Sequence, residues 1–148
     1  MLENNKMILL VEDNPDDEAL TTRALKKAKV KNDIVVVRDG EEALDFLFGK
    51  GKYKGRNTST LPQVVLLDLK LPKVDGHEVL HQIRTNNATK LLPVVILTSS
   101  KEEKDLHRGY SEGANSYIVK PVDIEQFMDA VQHLSLYWLV LNEGLESS

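Results

Sequence analysis

The sequence predicts an α/β protein in which five strands alternate with five helices around one parallel sheet covered on both faces. Three observations predict it. Short unbroken apolar runs such as Val64-Val65-Leu66-Leu67 lack polar alternation, as strands buried on both faces do. Amphipathic stretches with capping residues separate these runs. The βα order repeats along the chain, and right-handed crossovers turn that order into a doubly wound parallel sheet.

The first strand is expected over 6–11 and ends in Glu12-Asp13. Asn14 suits a helix N-cap, Pro15 the first helical position and Asp17 the acid of a capping box. Leu20, Ala24, Leu25 and Ala28 supply that helix's apolar face. A short strand over 34–37 follows, then a helix capped by Asp39 with Ala43, Leu44, Leu47 and Phe48 inward. Residues 49–62 form the one long irregular stretch, longer than most connections in such folds. Its Lys50, Lys52, Lys54 and Arg56 fit either a partner contact or, as the favoured reading, a solvated loop. The central strand, 64–68, ends in Asp68. Gly76 opens a third helix to about Asn86, with Val79, Leu80 and Ile83 inward. Residues 93–97 form the fourth strand, followed by Thr98, and a fourth helix is expected over 101–112. The fifth strand, 115–119, ends in Lys120-Pro121; Asp123 caps the last helix, and Gln126 completes its capping box.

Composition narrows the function. The 148 residues suit one domain, and 41% hydrophobic with 28% charged residues is a globular composition. A net charge of -4 gives no whole-surface reason to expect nucleic acid binding. Without cysteine, disulfides, thiolate nucleophiles and zinc–cysteine sites are excluded. The N-terminus has no signal-peptide pattern, and no stretch reaches the roughly 18 apolar residues of a membrane span, so a cytoplasmic protein without membrane insertion is expected.

Chemistry-bearing residues collect at one edge of the expected sheet. The C-terminal strand ends bring Glu12 and Asp13, Asp68, Thr98 and Lys120 together, at the edge where open α/β sheets bind ligands. Asp68 taken alone also fits a turn cap. Three carboxylates in one cleft repel one another unless a cation sits among them, and hard oxygen ligands suit Mg²⁺. A metal on Asp13 and Asp68, with Lys120 and the Thr98 hydroxyl facing phosphate oxygens, suits phosphoryl transfer, for which aspartate is a known nucleophile. No GxxxxGK[ST] loop and no glycine-rich turn after the first strand support a nucleotide-binding role. His77, His81, His107 and His133 all fall in predicted helices. His77 and His81 are spaced for a metal pair, but solvated helix positions are the favoured reading.

In order along the chain, Ile8-Leu9-Leu10-Val11-Glu12-Asp13-Asn14, Leu66-Leu67-Asp68-Leu69-Lys70-Leu71-Pro72, Asp75-Gly76, Leu97-Thr98-Ser99 and Tyr117-Ile118-Val119-Lys120-Pro121 resemble the receiver domain of two-component response regulators. The resemblance covers about residues 6–134. It implies a flavodoxin-like (βα)5 fold with strand order 2-1-3-4-5, and a single receiver domain over 1–148. It implies that Asp68 accepts a phosphoryl group from a sensor histidine kinase. Asp13, Asp68 and the Lys70 carbonyl would hold Mg²⁺, with Glu12 acting through water at a position where many members have Asp. Lys120 would face the phosphate, Thr98 would be the switch hydroxyl and Tyr117 the aromatic switch, for which the alternative is an ordinary strand tyrosine. The Lys120–Pro121 bond is expected to be cis. The chain would thus catalyse its own phosphorylation and dephosphorylation without a separate substrate. The run 12–17, the long loop and Tyr137-Trp138 are similar to small stand-alone regulators paired with cyanobacterial phytochromes, which implies a light- or redox-sensing kinase.

The last helix is expected to extend over about 123–143, with Phe127, Ala130, Val131 and Leu134 inward. Tyr137, Trp138 and Leu141 then either fold onto the domain or, as the favoured reading, bury against a second copy as a homodimer. With no output domain before Ser148, output would pass through an unidentified downstream protein, or the domain would shuttle or drain phosphoryl groups. Two rivals are a phosphorylation-independent protein-binding scaffold and an aspartate-nucleophile phosphohydrolase. The intact acidic and cationic set argues against the first, and Lys70, where a hydrolase tends to carry a second acid or base, against the other.

Overall fold

The computed structural model describes residues 7–28, 30, 32–99 and 111–133. Its elements are β1 (Met7–Val11), α1 (Pro15–Lys27), β2 (Asp33–Val37), α2 (Gly40–Phe48), a 3-10 turn (Gly51–Tyr53), β3 (Val64–Asp68), α3 (Gly76–Thr85), β4 (Val94–Thr98), β5 (Ser116–Val119) and a last helix (Ile124–His133). The strands form one sheet in the order β2-β1-β3-β4-β5, and every neighbouring pair is parallel. This is the doubly wound receiver-type sheet that the sequence predicts.

β1, β3 and β4 are buried at all positions, as central strands of a sheet covered on both sides must be. Side chains still alternate between the faces. Leu9, Val11, Val65, Leu67 and Ile96 pack with Ala43, Leu47, Val79, Leu80 and Ile83 of α2 and α3. Ile8, Leu10, Leu66, Val95, Leu97 and Ile118 pack on the other face with Ala24 and Leu25 of α1 and with Phe127, Ala130 and Val131 of the last helix. β2 and β5, at the edges, are less covered.

Several local expectations are corrected. Leu20 is exposed and Thr21 takes the inward place in α1; in α2 Phe48 packs half-buried against the core as expected, and Phe46, not expected inward, is buried as well. The capping boxes are replaced by other pairings. Asn14 does cap α1, accepting from the N–H groups of Asp16 and Asp17, but its own N–H goes to Glu12 Oε2 at 3.2 Å. Gln126 accepts from the Val119 N–H at 3.1 Å, which ties the last helix to β5. The loop over 49–62 is not simply solvated. Arg56 stacks on the Phe46 ring at 4.1 Å and donates to the carbonyls of Phe46 and Thr60, while the Tyr53 hydroxyl and Lys52 both reach Glu42. Arg56 thereby supplies a donor to the Phe46 carbonyl in the last turn of α2. His77 is buried against Glu112, with Nδ1 at 2.6 Å from Oε1, so it is not a solvated position; His81 is exposed. Residues 101–110 of the expected fourth helix, with His107, lie outside the described residues, as do the expected continuation of the last helix past His133 and Leu134.

Candidate functional site

The sheet order reverses at β1, which has β2 on one side and β3 on the other. At such a point a crevice opens beyond the carboxyl ends of the strands. Glu12 and Asp13 leave β1 there, and Asp68 is the last residue of β3. Thr98 ends β4, buried, in register with Val119 of β5; its carbonyl accepts the Lys120 N–H at 2.8 Å. The Lys120–Pro121 peptide is cis. The loop after β3 folds back as α3 begins: the Gly76 N–H donates to the Leu69 carbonyl, and a Cβ at Gly76 would collide with the Asp68 carbonyl oxygen and Leu69 Cα. Glycine is therefore required where Asp75 caps α3, and this packing fixes the loop beside Asp68.

The Lys120 ammonium is the centre of the cluster. Its side chain is 8% exposed and Nζ lies 2.9 Å from Glu12 Oε1, 3.0 Å from Asp17 Oδ2 and 2.9 Å from Asp68 Oδ2. Asp68 Oδ1 accepts the Lys70 N–H at 3.0 Å. Glu12, Asp13 and Asp68 each offer an oxygen within 4.8 Å of the others; Glu12 and Asp68 are buried and Asp13 faces solvent. Burial pushes the Glu12 carboxyl up to about 7, reinforced by Asp68 and opposed by Lys120. Burial alone would lower the Lys120 ammonium, yet its close pairing with the Glu12, Asp68 and Asp17 carboxylates outweighs that and holds it above its ordinary value.

These residues suit Mg²⁺. Glu12, Asp17 and Asp68 meet one ammonium and Asp13 lies alongside, which leaves the cleft short of positive charge. Among the described residues, the buried Glu12 Oε1 has no hydrogen-bond donor and meets charge only in the Lys120 ion pair. Oxygen ligands without histidine or thiolate are those of a hard cation. The cleft thus has the parts that phosphoryl acceptance assisted by Mg²⁺ needs: a carboxylate at a strand end, oxygen ligands for the ion and a buried cation beside them.

Of the residues singled out in the sequence, Glu12, Asp13, Asp68 and Lys120 lie in this cluster, and Lys70 touches it through its N–H. Thr98 adjoins it through the backbone. Tyr117 lies on edge strand β5 in register with Ile96 and is 39% exposed. Tyr137, Trp138 and Leu141 lie outside the described residues. The cluster also holds Asp17, which sequence reasoning spent on a capping box. The available signal was redundancy: Asn14 already meets the cap's needs, and Glu12, Asp13, Asp16 and Asp17 crowd one strand end.

Comparison with known proteins agrees with this geometry. Residues 8–132 match the response regulator receiver domain family. The chain is 44% identical over 142 residues to the probable methanogenesis regulatory protein FilR2 of Methanothrix harundinacea, covering 96% of this chain and 89% of that protein. It superposes on the bacteriophytochrome response regulator AtBRR with a TM-score of 0.84 at 53% identity, covering 93% and 98% of the two chains. The Mn²⁺-bound form of response regulator Rcp1 gives a TM-score of 0.73 at 38% identity over 90% and 94%; Rcp1 is from Synechocystis. With its parallel sheet, its acidic cleft and its buried lysine, the chain belongs to the response regulator receiver domain family.

Proposed function

We propose that this protein is a phosphorylatable switch in which Asp68 accepts a phosphoryl group from the phosphohistidine of a sensor kinase. The observation that carries the reading is the convergence of Asp68 and Glu12 on the buried Lys120 ammonium, with Asp13 alongside. In this reading an Asp68 carboxylate oxygen attacks phosphorus, the P–N bond to histidine breaks, and the imidazole leaves with the electron pair. Asp13, Asp68 and the Lys70 carbonyl hold Mg²⁺, which supplies charge neutralisation for the phosphoryl oxygens. Lys120 faces the same oxygens, and the Lys70 N–H keeps the Asp68 carboxylate oriented. The Thr98 hydroxyl turns towards the new dianion and Tyr117 follows, carrying the change to the β5 surface. Attack by water on the acyl phosphate releases inorganic phosphate and restores Asp68.

Likeness to the bacteriophytochrome response regulator AtBRR supports a phytochrome-type histidine kinase as partner. The family match over residues 8–132 supports a single receiver domain over 1–148; work in the cytoplasm is in keeping with the absence, among the described residues, of any helix long and apolar enough to cross a membrane. The test is intact mass after incubation with acetyl phosphate and Mg²⁺. A gain of about 80 Da, one phosphoryl group, that needs Mg²⁺ and is lost in Asp68→Asn is expected. A gain that persists in Asp68→Asn would place the acceptor elsewhere and overturn the reading.

A further inference from the structure

We infer that Asp17 is a positioning residue for phosphoryl acceptance: it accepts one N–H of the Lys120 ammonium, which Glu12 also holds by charge, and so keeps another aimed at Asp68 and whatever Asp68 carries. The inference rests on the acceptor reading of Asp68 given above. An ammonium has three donors on a flexible four-carbon stem, so one partner does not fix it in space. Here three carboxylates from three places surround it: Asp17 in the first turn of α1 at 3.0 Å and Asp68 at the end of β3 at 2.9 Å accept hydrogen bonds, and Glu12 after β1 pairs with its charge at 2.9 Å. With the lysine side chain 8% exposed, little water is available to replace any of them.

The Asp17 carboxylate is free of local duty. Asn14 caps α1 through Oδ1, and the Asn14 N–H that a capping-box acid would accept goes to Glu12 Oε2 instead. Asp17 is itself anchored, since its own N–H donates to Asn14 Oδ1 at 3.0 Å. Asp16, its neighbour, is exposed, whereas the Asp17 side chain is 30% exposed and turned across the cleft. When Asp68 forms its bond to phosphorus and the donor's P–O bond breaks, acetate or another leaving group departs with the electron pair. Lys120 then exchanges a carboxylate oxygen for a phosphoryl oxygen. Asp17 and Glu12 hold the ammonium in place through that exchange.

The test compares Asp17→Ala and Asp17→Asn, each alone and with Lys120→Ala. Phosphorylation by acetyl phosphate with Mg²⁺ is followed by intact mass over a range of donor concentrations. Asp17→Ala is expected to lower the maximal rate about tenfold without changing the Mg²⁺ requirement. Asp17→Asn, which keeps an oxygen acceptor, is expected to recover most of that loss. On the Lys120→Ala background Asp17→Ala is expected to add nothing, because the residue acts through the lysine. A second readout needs no phosphoryl donor: the ¹⁵N-detected proton exchange of the Lys120 ammonium should be slow in wild type, faster in Asp17→Ala and slow again in Asp17→Asn. The same spectra report whether each variant is folded. Wild type that takes no phosphoryl group overturns the acceptor reading and this inference with it. Wild type that is phosphorylated, with Asp17→Ala equally fast or with a loss that persists without Lys120, overturns this inference alone.

Discussion

Glu12 directly follows β1, fully buried, and its carboxyl is pushed from an ordinary 4.5 up to about 7, by burial first and by Asp68, against the pull of Lys120. The consequence for folding has a definite sign. The folded protein without metal binds a proton that the unfolded chain has released, so this group's contribution to stability declines as pH rises from about 4.5 to about 7. The consequence for metal runs the other way. A cation among Glu12, Asp13 and Asp68 competes with that proton, so Mg²⁺ binding should weaken as pH falls below about 7, by up to about tenfold per unit. Calorimetric titration with Mg²⁺ between about pH 6 and 8 reads this, and Glu12→Gln should flatten the profile. A wild-type profile already flat over that range would assign the proton elsewhere.

At the scale of elements, one polar side chain ties the end of α3 to the segments around β4 and β5. Arg84 donates from Nε to the Gly113 carbonyl at 2.9 Å and from its other nitrogens to the Leu92 carbonyl at 2.7 Å and to Asn115 Oδ1 at 2.9 Å. Asn115 Oδ1 also accepts the Val94 N–H, so Arg84 ties the entry of β4 to the turn before β5. Arg84→Ala leaves several half-buried carbonyl groups without a donor and should cost about 2–4 kcal/mol in urea unfolding. A loss below about 0.5 kcal/mol would show that water replaces the guanidinium. Arg84 illustrates what the sequence hides. The central strands are legible because strands covered on both faces need consecutive apolar residues, and the cleft is legible because Glu12, Asp13, Asp68, Thr98 and Lys120 directly follow or end such runs. Asp17, Arg56 and His77 are not, because each has an adequate local explanation and its partner is set by tertiary packing. The Asp17 partner is 103 residues away and the His77 partner 35. The exchange of Leu20 for Thr21 has a different origin: helical periodicity locates a buried stripe but not its borders, and two adjacent residues at a border differ by one step of rotation.

For the whole molecule, the described helices already cover both faces of the sheet, α2 and α3 on one and α1 with the last helix on the other. The inward positions of that last helix are filled by Phe127, Ala130 and Val131. The sequence nevertheless continues with Leu134, Leu136, Tyr137, Trp138, Leu139, Val140 and Leu141, beyond the described residues. That much apolar surface in so short a stretch needs a cover, and the described sheet faces already have theirs. A second copy of the chain would provide one by two-fold symmetry, with Tyr137 and Trp138 as aromatic anchors and Leu141 beside them. Two receiver clefts would then answer to one assembly. Wild type is expected to sediment at twice the monomer mass and Trp138→Ala to shift toward monomer as the protein is diluted. Equal monomer mass for both would mean that the segment packs on its own domain, and Trp138→Ala would then lower unfolding stability instead, by the roughly 3–5 kcal/mol typical of a buried tryptophan.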